Sequence, residues 1–247
     1  MTPSEFVEPA TIDEALALLD PDDPAVRPIA GGTALMLMMK SGFYRPQRLV
    51  SLRALGPSLT RIAETRQGGL EIGAMVRLAE LEASPLVRRL ASVIADTLLA
   101  HSNVRVRNVA TVGGNLAHGD PHMDLPPVLI ARGASLRAVD PGGERDIPLE
   151  ALFTGYMTTV LGNDELIAAL HIPPQPGRRA AFAKVTARSA DDWPALGLAV
   201  SVGASDTRVA IGAATETAMR LPRTEALLAG KALDDRLGSV DISGARG

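Results

Sequence analysis

The sequence predicts an α/β portion followed by a smaller α+β portion. Three observations carry this reading. Two short apolar runs, Val26 to Ala30 and Ala110 to Gly114, end in glycine pairs, and the first pair opens onto helical spacing. Strand and hairpin patterns crowd the second half of the chain. Between the two portions, Pro173-Pro174-Gln175-Pro176-Gly177 breaks any regular element.

In chain order, Thr11-Ile12-Asp13-Glu14 reads as a capping box, with Ala15, Leu18 and Leu19 behind it at helical spacing and Pro21 as the stop. Val26 to Ala30 reads as a buried strand entering a tight turn at Gly31-Gly32. Thr33 is placed to cap a helix through Leu35, Met36 and Met39. Leu49 to Leu52 and Leu70 to Ala74 are short strands. Pro85 suits the first turn of a helix whose apolar positions are Leu90, Val93, Ile94, Thr97 and Leu98. Ser135 to Val139, Pro141-Gly142-Gly143 and Arg145 to Leu149 form a hairpin pattern, and Leu166 to Ile172 a further strand. Beyond the prolines, Ala181 to Ala187 and Leu198 to Gly203 read as strands. Ser205-Asp206 is a hairpin turn, Arg208 to Gly212 the returning strand and Pro222 to Leu228 a helix.

Composition narrows the chemistry. The 247 residues suffice for a core without staples. The net charge of −3 and the lack of any basic run give no footprint for nucleic acid or anionic lipid. With no cysteine, the chain can form no disulfide, thiolate nucleophile or thiolate zinc site, and can ligate no iron–sulfur cluster. Only seven residues are aromatic, so Ala, Leu, Val and Ile must build the core. The N-terminus shows no basic and apolar signal pattern, and the apolar stretch Ala34 to Met39 is too short to span a bilayer. A soluble, cytoplasmic protein without a membrane span is expected.

Ala30-Gly31-Gly32-Thr33 and Thr111-Val112-Gly113-Gly114-Asn115 are the main candidates for ligand binding. Glycine tolerates positive φ and lets backbone N–H groups approach an anion. Two such loops could hold the two phosphates of one dinucleotide. The same residues also suit two tight turns in which glycine only relieves strain. G-x-G-x-x-G and P-loop patterns are absent, and Gly230-Lys231 lacks the required spacing. His118-Gly119-Asp120-Pro121-His122-Met123-Asp124 gathers imidazole and carboxylate, but Pro121 prevents one helix face from presenting both histidines. It reads as a loop in which Asp120-Pro121 starts a turn and Asp124 caps the helix Leu125 to Ala131. His101 ends an apolar helix, as a capping or packing residue or a catalytic one, and His171 sits in a strand as a structural residue. Trp193, next to Lys184 and the pair Asp191-Asp192, could stack on a planar ligand or fill an interface. No acid–base pair and no nucleophile elbow stands out.

Taken in order, AGGTALMLMMKSG, RPQRLVSL, GLEIGAMVRLAELEASPLV, HSNVRVRNVATVGGNLAHGDPHMDLPPVLIARGA, DELIAALHIP and AFAKVTARSADDWPALGLAV resemble the FAD-binding medium subunit of molybdenum hydroxylases. That family includes the carbon monoxide dehydrogenase medium subunit and the xanthine dehydrogenase FAD domain. The likeness covers nearly the whole chain, and the TVGGN-to-DLP segment carries it best. It implies an α+β fold: a two-subdomain FAD-binding unit of the vanillyl-alcohol-oxidase (PCMH) type over residues 1–175, then a small C-terminal α+β domain over 178–247. It also implies FAD as cofactor and a set of contacts. Ile29, Ala30, Gly31, Gly32, Thr33, Ala34 and Leu35 match the first pyrophosphate loop. Thr111, Val112, Gly113, Gly114 and Asn115 match the second. Asp124 matches an acidic residue that contacts the flavin nucleotide. His101 matches a residue beside the cofactor, Ile167 and Lys184 match two later contacts, and Trp193 stands where relatives place a tyrosine or phenylalanine by the ring. Ala34 replaces an acidic residue common there, and relatives usually continue past the position of Gly247 by another helix or so.

The partners implied are a large molybdopterin-binding subunit and a small [2Fe–2S] subunit, assembled as a dimer of heterotrimers. The implied function is electron transfer from the clusters through FAD to an external acceptor, with no catalytic acid or base and no metal on this chain. Two other readings remain at this level: a stand-alone flavoprotein oxidase or dehydrogenase with its own substrate pocket, and a flavin-free scaffold.

Overall fold

The computed structural model describes residues 5–187 and 192–229. The N-terminal lobe is a parallel sheet of β1 (Glu5–Val7), β2 (Val26–Ile29) and β3 (Arg48–Ser51), with β3 in the middle. Helix α1 (Ile12–Leu18) joins β1 to β2, and α2 (Leu35–Lys40) joins β2 to β3. The capping box forms as read: the Thr11 hydroxyl accepts from the Glu14 N–H, and the Glu14 carboxylate accepts from the Thr11 N–H. The helix buries Ala15 and Leu16 rather than Leu18, and Leu19 packs just past its end. Strand β2 is an edge strand with only Val26 buried, which suits Pro28 because a missing N–H is tolerated there. Thr33 caps nothing. The helix begins one residue later, at an uncapped Ala34.

The remaining sheets are antiparallel, so the α/β pattern of the first fifty residues does not extend over the rest of the chain. One sheet runs β4 (Ile62–Glu64), β5 (Leu70–Gly73), β10 (Leu166–Ile172), β6 (Ser135–Asp140), β7 (Gly143–Pro148). The β6–β7 hairpin turns at Pro141-Gly142, where the Asp140 carboxylate accepts from the Gly142 and Gly143 N–H groups. In the sheet, Leu136, Ile72 and Leu170 are fully buried in the core. Over that face lie α3 (Leu78–Ala83), α4 (Pro85–Leu99), α5 (Val104–Arg107), α6 (Val112–Ala117) and α7 (Leu125–Ala131). Ser84 caps α4 with Pro85 at its first turn, and Val93, Ile94, Thr97 and Leu98 are buried as their spacing predicts, while Leu90 is only partly so. A small two-stranded ribbon, β8 (Phe153–Gly155) and β9 (Thr158–Thr159), follows β7.

After the proline break comes the third sheet: β11 (Arg179–Thr186), β12 (Pro194–Val202), β13 (Thr207–Gly212), β14 (Met219–Arg220), with α8 (Pro222–Leu228) at its edge. It packs on α7, and Ala199 and Ala210 join the same buried cluster as the five-stranded sheet and its helices. A second cluster packs Ala15, Val50, Leu55 and Leu59 against Val139 of β6 and Leu166 of β10. Two cores leave a seam between them, and the glycine loops lie along it. No helix among the described residues is long and apolar enough to cross a membrane. Asp191, Gly230 and Lys231 lie outside the described residues.

Candidate functional site: a cleft between two glycine loops

A cleft of about 680 Å³ opens along the seam, within the range of small-molecule sites. Its walls come from the β2–α2 loop, the segment from His101 to Met123, strand β10 and strands β11 and β12. Of the expected contacts, Ile29, Ala30, Gly31, Gly32, Thr33, Ala34, Leu35, His101, Thr111, Gly113, Gly114, Asn115, Ile167, Lys184 and Trp193 line it. Val112 does not; it is fully buried in the core. Asp124 does not either, and stands buried behind the wall.

The two loops differ in what their backbones do. In the first, Gly32 takes φ +69°, a left-handed conformation that a Cβ would strain. The N–H groups of Gly31, Gly32, Thr33, Ala34 and Leu35 find no acceptor among the described residues. Successive free N–H groups around a left-handed residue make a concave donor surface suited to an anion. Gly31 is needed for a different reason. A Cβ there would fall on the carbonyl oxygen of Val109 and within 2.9 Å of Ala110 Cα. The first loop is therefore packed backbone to backbone against the approach to the second.

The second glycine pair is not a turn. Gly113 and Gly114 lie in the first turn of α6, whose cap is the Thr111 hydroxyl accepting from the Gly114 N–H at 3.1 Å. The N–H of Val112 donates to Val76 O at 2.9 Å and that of Gly113 to Ala74 O at 2.7 Å. Gly113 permits this contact, since its Cβ would stand 2.7 Å from Ala74 Cβ. Gly114 faces the gap between the loops, where a Cβ would meet Thr111 Oγ1 at 3.0 Å and Ala30 Cβ at 3.7 Å. The second loop thus supplies space rather than donors. Beside it, Asn115 gives its side-chain N–H to Met123 Sδ at 3.2 Å, and its Oδ1 is sealed from solvent without a donor.

Asp124 heads α7 but does not cap it. The cap would accept from the second or third residue of the helix, and these are Pro126 and Pro127, which have no N–H. Its Oδ2 instead meets His101 Nδ1 at 2.8 Å and accepts from Lys184 Nζ at 3.2 Å. Lys184 also donates to Ala100 O at 3.1 Å. This buried carboxylate ties the end of α4 to β11 and fixes His101 and Lys184 on the cleft wall. The neighbouring Asp120 forms the expected turn, accepting from the His122 N–H at 2.9 Å, and its carboxylate also meets His122 Nδ1 at 2.9 Å. His118 lies 3.9 Å from Asp120, and burial pushes its pKa below 6.5 more strongly than Asp120 raises it. Among the described residues no group of three or more His, Asp or Glu is arranged to hold a metal ion. Trp193 is 60% exposed and sets its edge against His122, ring centroids 5.5 Å apart. His171 lies on β10, 3.8 Å from Glu71.

The sequence offered no signal for several cleft residues. Arg27 reaches across to Tyr44, donating to its hydroxyl at 2.6 Å. Ser102 and Met157 line the cleft with φ of 49° and 53°, unusual for residues other than glycine. Glu165 is held ionised, chiefly by its hydrogen bonds to Arg145. Those residues arrive by tertiary contact, from segments with no binding motif. Asp124 was different: the prolines after it already argued against a capping role.

A cleft with one donor-rich loop, one bare glycine face, a sealed Asn115 acceptor and cationic Lys184 suits a dinucleotide with hydroxyl or N–H donors. A family described as the FAD binding domain in molybdopterin dehydrogenase matches residues 2–175. The carbon monoxide dehydrogenase medium chain of Hydrogenophaga pseudoflava is 32% identical over 234 residues, which is 92% of this chain and 80% of the relative. The xanthine dehydrogenase FAD-binding subunit of Escherichia coli O157:H7 is 29% identical over 223 residues, 87% of this chain and 76% of that one. Among solved structures, reconstituted CO dehydrogenase from Oligotropha carboxidovorans matches with a TM-score of 0.89 at 30% identity, covering 95% of this chain and 84% of that one. Cleft and likeness agree: the chain belongs to the family of FAD-binding domains of molybdopterin dehydrogenases and is an FAD-dependent oxidoreductase subunit.

Proposed function

We propose that this chain is the electron-transfer flavin subunit of a heteromeric molybdenum hydroxylase, with residues 1–175 as a PCMH-type FAD unit and 178–247 as a C-terminal domain. The observation that carries this is the run of free N–H groups from Gly31 to Leu35 facing the bare Gly114 across one cleft. When bound, FAD supplies one-electron acceptance and two-electron donation. The chain's own residues hold it. Gly31 to Leu35 donate to the diphosphate, and Gly114 leaves that group room. Asn115 Oδ1 accepts from a ligand hydroxyl or N–H. Asp124 works indirectly, by fixing His101 and Lys184 at the cleft edge. Trp193 screens the outer side, where a planar ring would lie.

The partners follow from the family, and the chain's composition is consistent with them. Without cysteine this chain can ligate no cluster, so in such an assembly the [2Fe–2S] clusters lie on a small subunit and the substrate is oxidised on a molybdopterin-binding subunit. Relatives are named as chains or subunits of dehydrogenase complexes. We place the assembly, a dimer of heterotrimers, in the cytoplasm. The test is to load the purified chain with FAD and offer organic substrates with and without the co-purified partners. One flavin per chain is expected, reduced only in the complex. Substrate turnover by the isolated chain would overturn the proposal in favour of a stand-alone flavoenzyme, and a chain that takes up no FAD would favour a scaffold. Asp124→Ala is expected to lower FAD affinity and to cost about 3–5 kcal/mol in stability, as removing one partner of a buried charge pair does. Calorimetry and flavin titration check both.

A further inference from the structure

Sharing no lining residue with the flavin cleft, a second cavity of about 320 Å³ lies where the proline break meets the β12–β13 turn, lined by Gln175, Arg178, Ser205, Asp206 and Arg208 among others. We propose that this cavity is a binding site for a phosphate group, gripped by Arg178 and Arg208. Two guanidinium groups, Arg178 and Arg208, converge here on one carboxylate, and their field reaches a third, Arg132. Asp206 accepts from Arg178 through one oxygen, and from Arg208 Nε at 3.2 Å through the other. The terminal nitrogens of Arg208 have no acceptor among the described residues. Arg132, at the end of α7, is 3% exposed and has no carboxylate partner among them. It donates to Leu90 O at 3.2 Å, and its Nε is sealed without an acceptor.

A buried cation without a counter-ion is costly. The cost registers on Arg132, whose pKa is pushed down to about 10 by burial first, then by Arg178 and Arg208. The local excess of two positive charges matches a dianion, and forked guanidinium donors match the oxygens of a phosphate. Gln175 donates to Arg132 O, which turns its Oε1 the other way. That atom is sealed and lacks a donor. A protonated phosphate oxygen or a sugar hydroxyl would satisfy it. The site sits on the linker between β10, which carries Ile167, and β11, which carries Lys184. An occupant there would brace the seam that positions both.

The test uses the FAD-loaded full chain at constant pH and ionic strength, titrated with inorganic phosphate in one arm and ADP in another, with chloride as control. Saturable binding by calorimetry and a rise in melting temperature with phosphate but not chloride are expected. Arg208→Gln should weaken that binding about tenfold or more while leaving flavin absorbance unchanged. If Arg208→Gln does not accumulate, Arg208→Lys keeps the charge, loses the fork and gives the same readout. Tighter binding of ADP, equally lost in the variant, assigns a nucleotide as the source. Phosphate binding without added affinity for ADP assigns the free ion. Absence of saturable binding in both arms, or binding unchanged in the variant, overturns the proposal.

Discussion

Gly31-Gly32 and Gly113-Gly114 look alike in the sequence, each a glycine pair after a short apolar run. In the folded chain they do opposite things. The first is an open turn with a left-handed residue and a row of unused donors. The second is the closed start of a helix, its N–H groups taken by Thr111, Val76 and Ala74. The difference teaches that a glycine can serve space as well as conformation. Three of the four, Gly31, Gly113 and Gly114, are required or favoured by what a Cβ would hit, and only Gly32 by its φ.

The largest break in this comparison should come from Gly31→Ala. Its Cβ would fall on backbone atoms that cannot swing aside, so the two loops must part. A loss beyond the ~1–3 kcal/mol of ordinary overpacking is expected, together with loss of FAD. Denaturant melts and flavin content measure this. Gly113→Ala should cost about 1–3 kcal/mol by pushing α6 off Ala74. Gly114→Val separates the two roles: its crowding is mainly against one hydroxyl, so the protein should fold yet purify colourless. A yellow Gly114→Val protein with normal FAD content would refute the assigned gap. Thr111→Ala removes the cap of α6 and should cost about 1 kcal/mol, read as a lower melting midpoint.

The smallest effect concerns pH. His118 titrates lower in the folded protein than its ordinary 6.5. The unfolded state therefore binds the proton first as pH falls. Stability from this group is complete above about 6.5 and declines as pH drops toward the folded value. Thermal melts across the mildly acidic range should show that decline, and His118→Gln should flatten it.

Local chemistry was readable. The Thr11 capping box, the Pro141-Gly142 hairpin turn, the helix start at Pro85 and the strands around the proline break each depend on residues adjacent in the chain, and each forms as read. The family resemblance was legible for the same reason, since its motifs are contiguous. The errors arose where a local rule met a distant partner. Thr33 reads as a cap, but the helix starts after it. Asp124 reads as a cap, but its carboxylate is claimed by His101 from the end of α4 and Lys184 from β11. Ala110 to Gly114 reads as a run broken by a turn, but Ala74 and Val76 offer carbonyls that start a helix there.

By itself, then, the sequence determined the local caps and turns, the family and the exclusion of any cluster or disulfide, because those depend on residue identity and near neighbours. Only the tertiary structure decided which glycine loop keeps its donors free, that Asp124 stands behind the cleft wall, and that Arg178 and Arg208 share one carboxylate. These are matters of which backbone groups find partners across the seam, and no local pattern of residues encodes a distance between segments far apart in the chain.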